Sequence, residues 1–129
     1  MDQSRERLLG GDLDEAPEIR AELLGTLGSI YNELGLLGGA RKLKEEALQE
    51  RRRADPSDSP ELAIELNNLG RLDYDVGEYD TAERHFGEAV AVWRRLGSPD
   101  VIIGLRNSAA VAMAQKRYEE ALRLSLIHI

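Results

Sequence analysis

Two histidines, several adjacent carboxylates, scattered serines and one glycine-rich turn are the residues here whose types could carry chemistry. Their spacing decides whether they can. A metal needs three or four ligands converging on one point. His85 stands between Arg84 and Phe86 with no ligand at metal spacing, and His128 belongs to the terminal stretch treated below. His85 is therefore read as a solvated or half-buried side chain on a helix. Glu45-Glu46 and Glu119-Glu120 place carboxylates side by side. General acid–base catalysis needs a cleft that drives two such pKa values apart, which a solvated helix face does not supply. Ser4, Ser29, Ser57, Ser59, Ser98 and Ser108 lack a GxSxG setting, and no histidine is placed to complete a triad. The run Gly35-Leu36-Leu37-Gly38-Gly39, with Arg41 and Lys42 after it, looks toward a phosphate loop. It misses the GxxxxGK[ST] spacing and follows a helix pattern instead of a strand, so it is read as a helix–helix turn. With no cysteine in the chain, disulfides, thiol catalysis and thiolate metal sites drop out together. The expectation is a protein with no catalytic residues, no metal and no cofactor.

Composition narrows the partners. The net charge is −7 over 129 residues, and no basic face is evident, which argues against nucleic acid. The one basic run, Arg51-Arg52-Arg53, precedes Asp55-Pro56 and reads as a helix C-terminus, where cations meet the negative end of the dipole. No apolar run approaches the ~20 residues of a membrane span. The opening MDQSRERLLGG lacks the apolar stretch of a signal peptide, so the expected setting is cytoplasmic, away from membranes. At this length the chain reads as a single domain or part of one.

The elements that must position any site come from an internal repeat. Gly70, Gly77, Ala82 and Ala89 reproduce Gly28, Gly35, Ala40 and Ala47 at a constant offset of 42 (70−28, 77−35, 82−40, 89−47). A third copy follows at a shorter offset: Leu105, Asn107, Ala109, Tyr118 and Ala121 stand 39 residues after Leu66, Asn68, Gly70, Tyr79 and Ala82 (105−66, 107−68, 109−70, 118−79, 121−82). Within a unit, Ser59-Pro60-Glu61 and Ser98-Pro99-Asp100 supply a capping hydroxyl, a first-turn proline and a carboxylate at a helix start. Leu62, Leu66, Leu69, Leu72 and Val76 then recur at helical spacing, and Gly77 ends the helix. Asp80-Thr81-Ala82-Glu83 has capping-box spacing, and Ala82, Phe86, Ala89, Val90 and Trp93 form the buried stripe of a second helix. Each unit is thus an antiparallel helix hairpin. Gly70, Ala82 and Ala89 stay small because a larger side chain would push the helix axes beyond the usual ~8–10 Å.

Small residues in these places resemble the tetratricopeptide repeat, in which a small residue on the first helix packs against alanines on the second. The 42-residue spacing and the Asn67-Asn68-Leu69-Gly70 element are similar to the kinesin-light-chain-like subclass. The resemblance implies an all-α fold, a right-handed superhelical stack of hairpins, with copies at 17–54, 59–96 and 98–123 after an N-terminal helix and linker at 1–16. The copies depart from the pattern. The favoured tyrosine of helix one is Tyr31 in copy one but Asp73 and Ala112 in the others, and the large aromatic of helix two is Phe86 in copy two but Lys44 in copy one. Gly38-Gly39 should fray the start of their helix. Residues 15–37 also resemble the stretch that opens the repeat region of bacterial serine/threonine kinases, although no Gly-rich loop, HRD or DFG element is present.

In such an array the first helices line a concave face. Asn67, Arg71 and Tyr74 form one stripe at i, i+4, i+7, and Asn68, Arg71 and Asp75 an adjoining one. Copy one contributes Asn32 with Thr26, Ser29 and Glu33, and copy three Arg106 and Asn107. Asparagine amides can pair with the backbone of an extended peptide whatever its sequence. The resemblance implies that Asn68 and Asn107 line a peptide groove. The expected function is a protein-interaction scaffold for a peptide or partner domain, or alternatively a regulatory segment acting on a catalytic domain of a larger signalling protein. The end of the chain breaks the pattern. From Ser125 the repeat is lost, and the codons CTG TCT CTT ATA CAC ATC, which spell Leu124–Ile129, resemble a transposon end used in sequencing libraries. Residues 124–129 are therefore expected to be adapter read-through, leaving a truncated third hairpin whose uncapped apolar surface would self-associate.

Overall fold

The structure, a computed structural model, describes residues 16–127, so the expectations for residues 1–15 and for His128 and Ile129 lie outside the described residues. Five helices follow one another: α1 (Pro17–Glu33), α2 (Leu37–Ala54), α3 (Pro60–Asp75), α4 (Tyr79–Arg95) and α5 (Val101–Ile127). Among the described residues there is no strand. The chain divides between Asp58 and Ser59 into two compact units. The all-α hairpin-repeat architecture is the one expected from the spacing of small residues.

The first unit is the hairpin α1–α2. Leu24, Leu43 and Ala47 are buried at its centre, with Leu27 and Tyr31 packed against them. The turn is made by Gly35, whose φ of 78° lies where L side chains are strained, and Gly77 repeats the device at 83° between α3 and α4. Lys44 stands where copy two has Phe86. Its stem lies against Gly28, where an added Cβ would be 3.0 Å from Lys44 Cγ, and its ammonium donates to Ser29 Oγ at 2.7 Å. A lysine thereby fills an apolar position with methylenes and keeps its charge at the surface. Gly38 and Gly39 do not delay the helix, which begins at Leu37. A Cβ on residue 39 would sit 2.7 Å from the Tyr31 ring, so that glycine makes room for the tyrosine. Arg51, Arg52 and Arg53 occupy the last turn of α2, where Arg53 Nη1 donates to Glu50 Oε1 at 3.2 Å. Past that turn the Asp55 carboxylate accepts from the Ser57 hydroxyl and backbone N–H, which together lower its pKa below the usual carboxylate value.

The second unit is the hairpin α3–α4 with α5 laid against it. Ser59 Oγ accepts from the Leu62 N–H at 3.1 Å and caps α3 as its sequence suggests. Leu62, Leu66, Leu69 and Leu72 from α3 are buried with Ala82, Phe86, Ala89, Val90 and Trp93 from α4. Each large apolar side chain so buried contributes about 1.5–3 kcal/mol before entropy is counted. Val76 is the exception in its stripe, because it stands at the end of α3 and remains exposed. An added Cβ at Gly70 would lie 2.7 Å from two ring atoms of Phe86, so the glycine sets how closely α3 and α4 approach. Gly104 does the same for α5, where a Cβ would meet Val90 at 2.6 Å and Trp93 at 3.1 Å.

Three local expectations are corrected. The capping box at Asp80–Glu83 does not form. Backbone bonding brings the chain into α4 at Tyr79, Glu78 is the N-cap without a side-chain bond, and Asp80 instead accepts from Gln115 Nε2 of α5 at 2.9 Å. His85 is neither solvated nor half-buried. It is 4% exposed, and its Nδ1 is hydrogen-bonded with Oδ2 of the fully buried Asp73 across the α3–α4 interface. Lastly, copy three is one continuous helix of 27 residues and does not fold back as a hairpin. The position of Gly35 and Gly77 is held there by Lys116 (116−77 = 39), within Ala114-Gln115-Lys116-Arg117, residues that favour helix and have no cheap left-handed conformation.

The Asp73–His85 pair replaces the Tyr31–Leu43 pair of copy one (73−31 and 85−43 are both 42), and Thr81 stands where copy one has Gly39. The smaller aspartate thus accompanies loss of the glycine that accommodated the ring. Removing one member of a buried polar pair costs more than replacing both by apolar residues. His85→Leu is expected to destabilise the fold by about 2–4 kcal/mol, and Asp73→Val added to it should recover at least half of that in urea denaturation. Gly70→Leu should cost ~1–3 kcal/mol by overpacking against Phe86, despite the better helix propensity of leucine. A melting temperature raised by Gly70→Leu would show that α3 and α4 do not need their close approach.

Candidate interaction site

A cleft of about 250 Å³ opens in the second unit, lined by Arg71, Tyr74 and Asp75 of α3, Phe86 of α4, and Asn107 and Ala110 of α5. Its origin is local. Arg71, Tyr74 and Asp75 project from the last turns of α3 at spacings of three and four, which place them on one side of the helix. Gly70, one residue earlier, lets the Phe86 ring pack directly on α3, and that ring, only 2% exposed, backs the cleft. The Tyr74 ring lies 5.7 Å from that of Tyr79 at 56°, a tilted contact that fixes the side of the cleft near the hairpin turn.

The far wall is set by Asn107, which a second asparagine holds in place. Asn107 Nδ2 donates to Asn67 Oδ1 at 2.8 Å, joining α5 to α3. Asn67 is only 8% exposed, which corrects its expected place as a groove residue. Because α5 crosses α3 at this level, the side chain is covered and its amide is used within the fold. Asn107 is half-buried and does line the cleft. The remaining expected residues distribute as follows. Arg71 and Tyr74 are exposed and meet Asn107 at the cleft. Asn68 and Arg106 are exposed on α3 and α5 outside its lining, and Asn32 is exposed on α1 of the first unit. Phe86 and Ala110 belong to the lining but were not singled out for it from sequence. Phe86 reads there only as core, although the glycine placed against it was the available signal.

Chemically, the cleft offers a guanidinium, a carboxylate, a phenol and an amide, backed by the buried Phe86 ring. These groups can hold peptide backbone and a polar or apolar side chain, and they contain no nucleophile paired with a base. The buried His85 and Asp73 do not line it. Among the described residues no three His, Cys, Asp or Glu side chains gather as a metal would require, and no helix is long and apolar enough to cross a membrane.

Comparison with known proteins gives the geometry a family. Residues 19–95, which run from α1 to the end of α4, match the tetratricopeptide repeat. The crystal structure of BtubC (BKLC) from P. vanneervenii is similar to this fold with a TM-score of 0.68 and 27% sequence identity, over 81% of this chain and 43% of that one. This chain therefore spans less than half the length of BtubC. No curated protein matches it. BtubC is a kinesin-light-chain-like repeat protein, in agreement with the subclass that the 42-residue spacing and the paired asparagines resemble. The chain belongs to the tetratricopeptide repeat family, in its kinesin-light-chain-like form.

Proposed function

We propose that this chain is a non-catalytic protein-interaction module that holds an extended peptide segment of a partner in the cleft between α3 and α5. The observation that carries the reading is the meeting of Arg71, Tyr74 and Asn107, from two helices, over the buried ring of Phe86. Repeats of this family generally mediate protein–protein contacts. Arg71 supplies a cationic donor for a carboxylate or backbone carbonyl, and Asn107 an amide that pairs with backbone. Tyr74 supplies apolar contact area at low entropic cost, with the buried Phe86 ring behind it. Asn68 and Arg106 extend the polar rim along the two helices, while Asn32 serves the first-helix face of the other unit. The net charge of −7 favours a protein partner over nucleic acid, and the setting is cytoplasmic.

A second reading makes the same surface a regulatory one, acting on a catalytic domain of a larger signalling protein. The similarity of residues 15–37 to the opening of kinase-linked repeat regions favours it. A kinase domain encoded in the same reading frame would support this second reading, and an adjoining frame without one would remove it.

The binding reading is tested by placing a photo-crosslinking phenylalanine analogue at Tyr74, capturing the partner, and titrating the crosslinked peptide segment against variants. Arg71→Ala with Tyr74→Ala should weaken Kd at least about tenfold, or about 1.4 kcal/mol. Helicity should be unchanged, since both side chains are exposed. Asn68→Ala should have the smaller effect of a rim residue. An unchanged Kd in the double variant would move the site away from this cleft.

A further inference from the structure

Arg71 and Asp75 line the cleft four residues apart on α3, and both are exposed. Opposite charges at this spacing can neutralise each other on a helix surface. These do not: neither side chain makes an ion pair or a side-chain hydrogen bond among the described residues. Their order contributes, since a basic residue placed before an acidic one is the poorer arrangement for such a pair. Asp75 is also badly placed for α3 itself. It is the last residue of that helix, whose final turn holds no basic side chain, so its carboxylate stands at the negative end of the dipole. A residue that breaks a local rule without return to the fold marks a place where function is expected. Copy one does not repeat the arrangement: Ser29 stands in the place of Arg71 (71−29 = 42) and is bonded to Lys44. From α5 the cleft receives Asn107, already bonded to Asn67, and Ala110, whose methyl can answer neither charge.

We propose that these two charges select a matching pair on the partner: an acidic side chain held by Arg71 and a basic one held by Asp75, two residues apart on an extended segment. The pairing rests on peptide binding in the cleft and adds which peptide is chosen. Its spacing follows from two rises. Four helical residues advance about 6 Å along α3. Two residues of an extended chain advance about 6.5 Å and carry both side chains on the same face. An acid and a base two apart therefore reach Arg71 and Asp75 together, whereas a spacing of three puts them on opposite faces. Arg71 can meet the carboxylate with two parallel N–H donors. The cation gains from Asp75, from the negative end of α3, and from the ring of Tyr74, adjacent in sequence and part of the same lining. A segment carrying charge of one sign would leave one cleft charge unanswered as water is excluded, so the pair also rejects wrong partners.

Selection from a random peptide library displayed on phage, with the full chain immobilised, tests the proposal. Wild type should enrich peptides with an acidic and a basic residue two apart. Arg71→Glu should shift the enrichment to two basic residues at that spacing, and Asp75→Lys to two acidic ones. A peptide selected on wild type should bind Arg71→Glu at least about tenfold more weakly, and exchanging its acidic residue for lysine should recover Kd to within about threefold. Asp75→Asn separates binding from folding. Affinity for the selected peptide should fall at least about fivefold, while Tm holds or rises because a carboxylate leaves the wrong end of α3. A lowered Tm in Asp75→Asn, no enrichment of the pair by wild type, or enrichment indifferent to the charge reversals would each overturn the pairing. Tyr74→Ala judges the cleft separately. If the selected peptides lack the pair yet bind Tyr74→Ala poorly, the pairing falls and the cleft stands; if they bind Tyr74→Ala as well as wild type, both fall.

Discussion

The contact between Gly70 and the ring of Phe86 governs the second unit. With a Cβ at 70 the ring would be 2.7 Å away, so the two helices could not keep their separation with any larger residue there. Ala82 and Ala89, both fully buried, repeat the demand on the α4 side. Once α3 and α4 lie this close, the leucines of α3 and the aromatics of α4 share one apolar interior. The groove left by α4 is then shallow enough for α5 to settle on Val90 and Trp93 through Gly104. The first unit solves the same problem differently: Gly28 faces the stem of a lysine, and Gly39 yields to Tyr31. A close helix approach is kept while the side chain that fills it changes.

Polar groups inside this interior act as register marks. Asp73 and His85 hydrogen-bond across the α3–α4 contact, and Asn67 with Asn107 across the α3–α5 contact. Apolar packing alone tolerates small slips between helices. A buried amide or carboxylate does not, because a slip leaves it without its partner at a cost of about 1–3 kcal/mol. The bond of Asp80 with Gln115 adds a third, exposed link between α4 and α5. Together they hold α5 where Asn107 can form one wall of the cleft whose other wall is Arg71 and Tyr74. The site is therefore a by-product of how the repeats pack, with the buried Phe86 ring that Gly70 admits against α3 backing it.

How much was legible in the sequence follows from the range over which each residue acts. Local devices read directly. Gly35 and Gly77 take the left-handed turn conformation, Ser59 caps α3, and Arg51–Arg53 close α2. Each depends on a few neighbouring residues, so spacing suffices. The hairpin repeat was equally clear, because a constant offset of small residues records helix contact without needing coordinates. Arg71 and Tyr74 were recognised as surface from helical spacing alone.

The tertiary structure decided matters that depend on a third element. Asn67 and Asn68 are adjacent and chemically identical, yet one is covered and the other exposed, because α5 crosses α3 over only one of them. His85 looked solitary in sequence, since Asp73 is twelve residues away and meets it only when the two helices pair. Asp80 has the spacing of a cap but serves α5 instead, because backbone bonding had already started α4 at Tyr79. In copy three the repeat register predicted a turn, while Lys116 in the place of glycine carried the helix onward. Sequence determined which helices exist and which of their faces must approach closely, through residue size and period; only packing among three helices decided which polar side chains face solvent, one another or a partner.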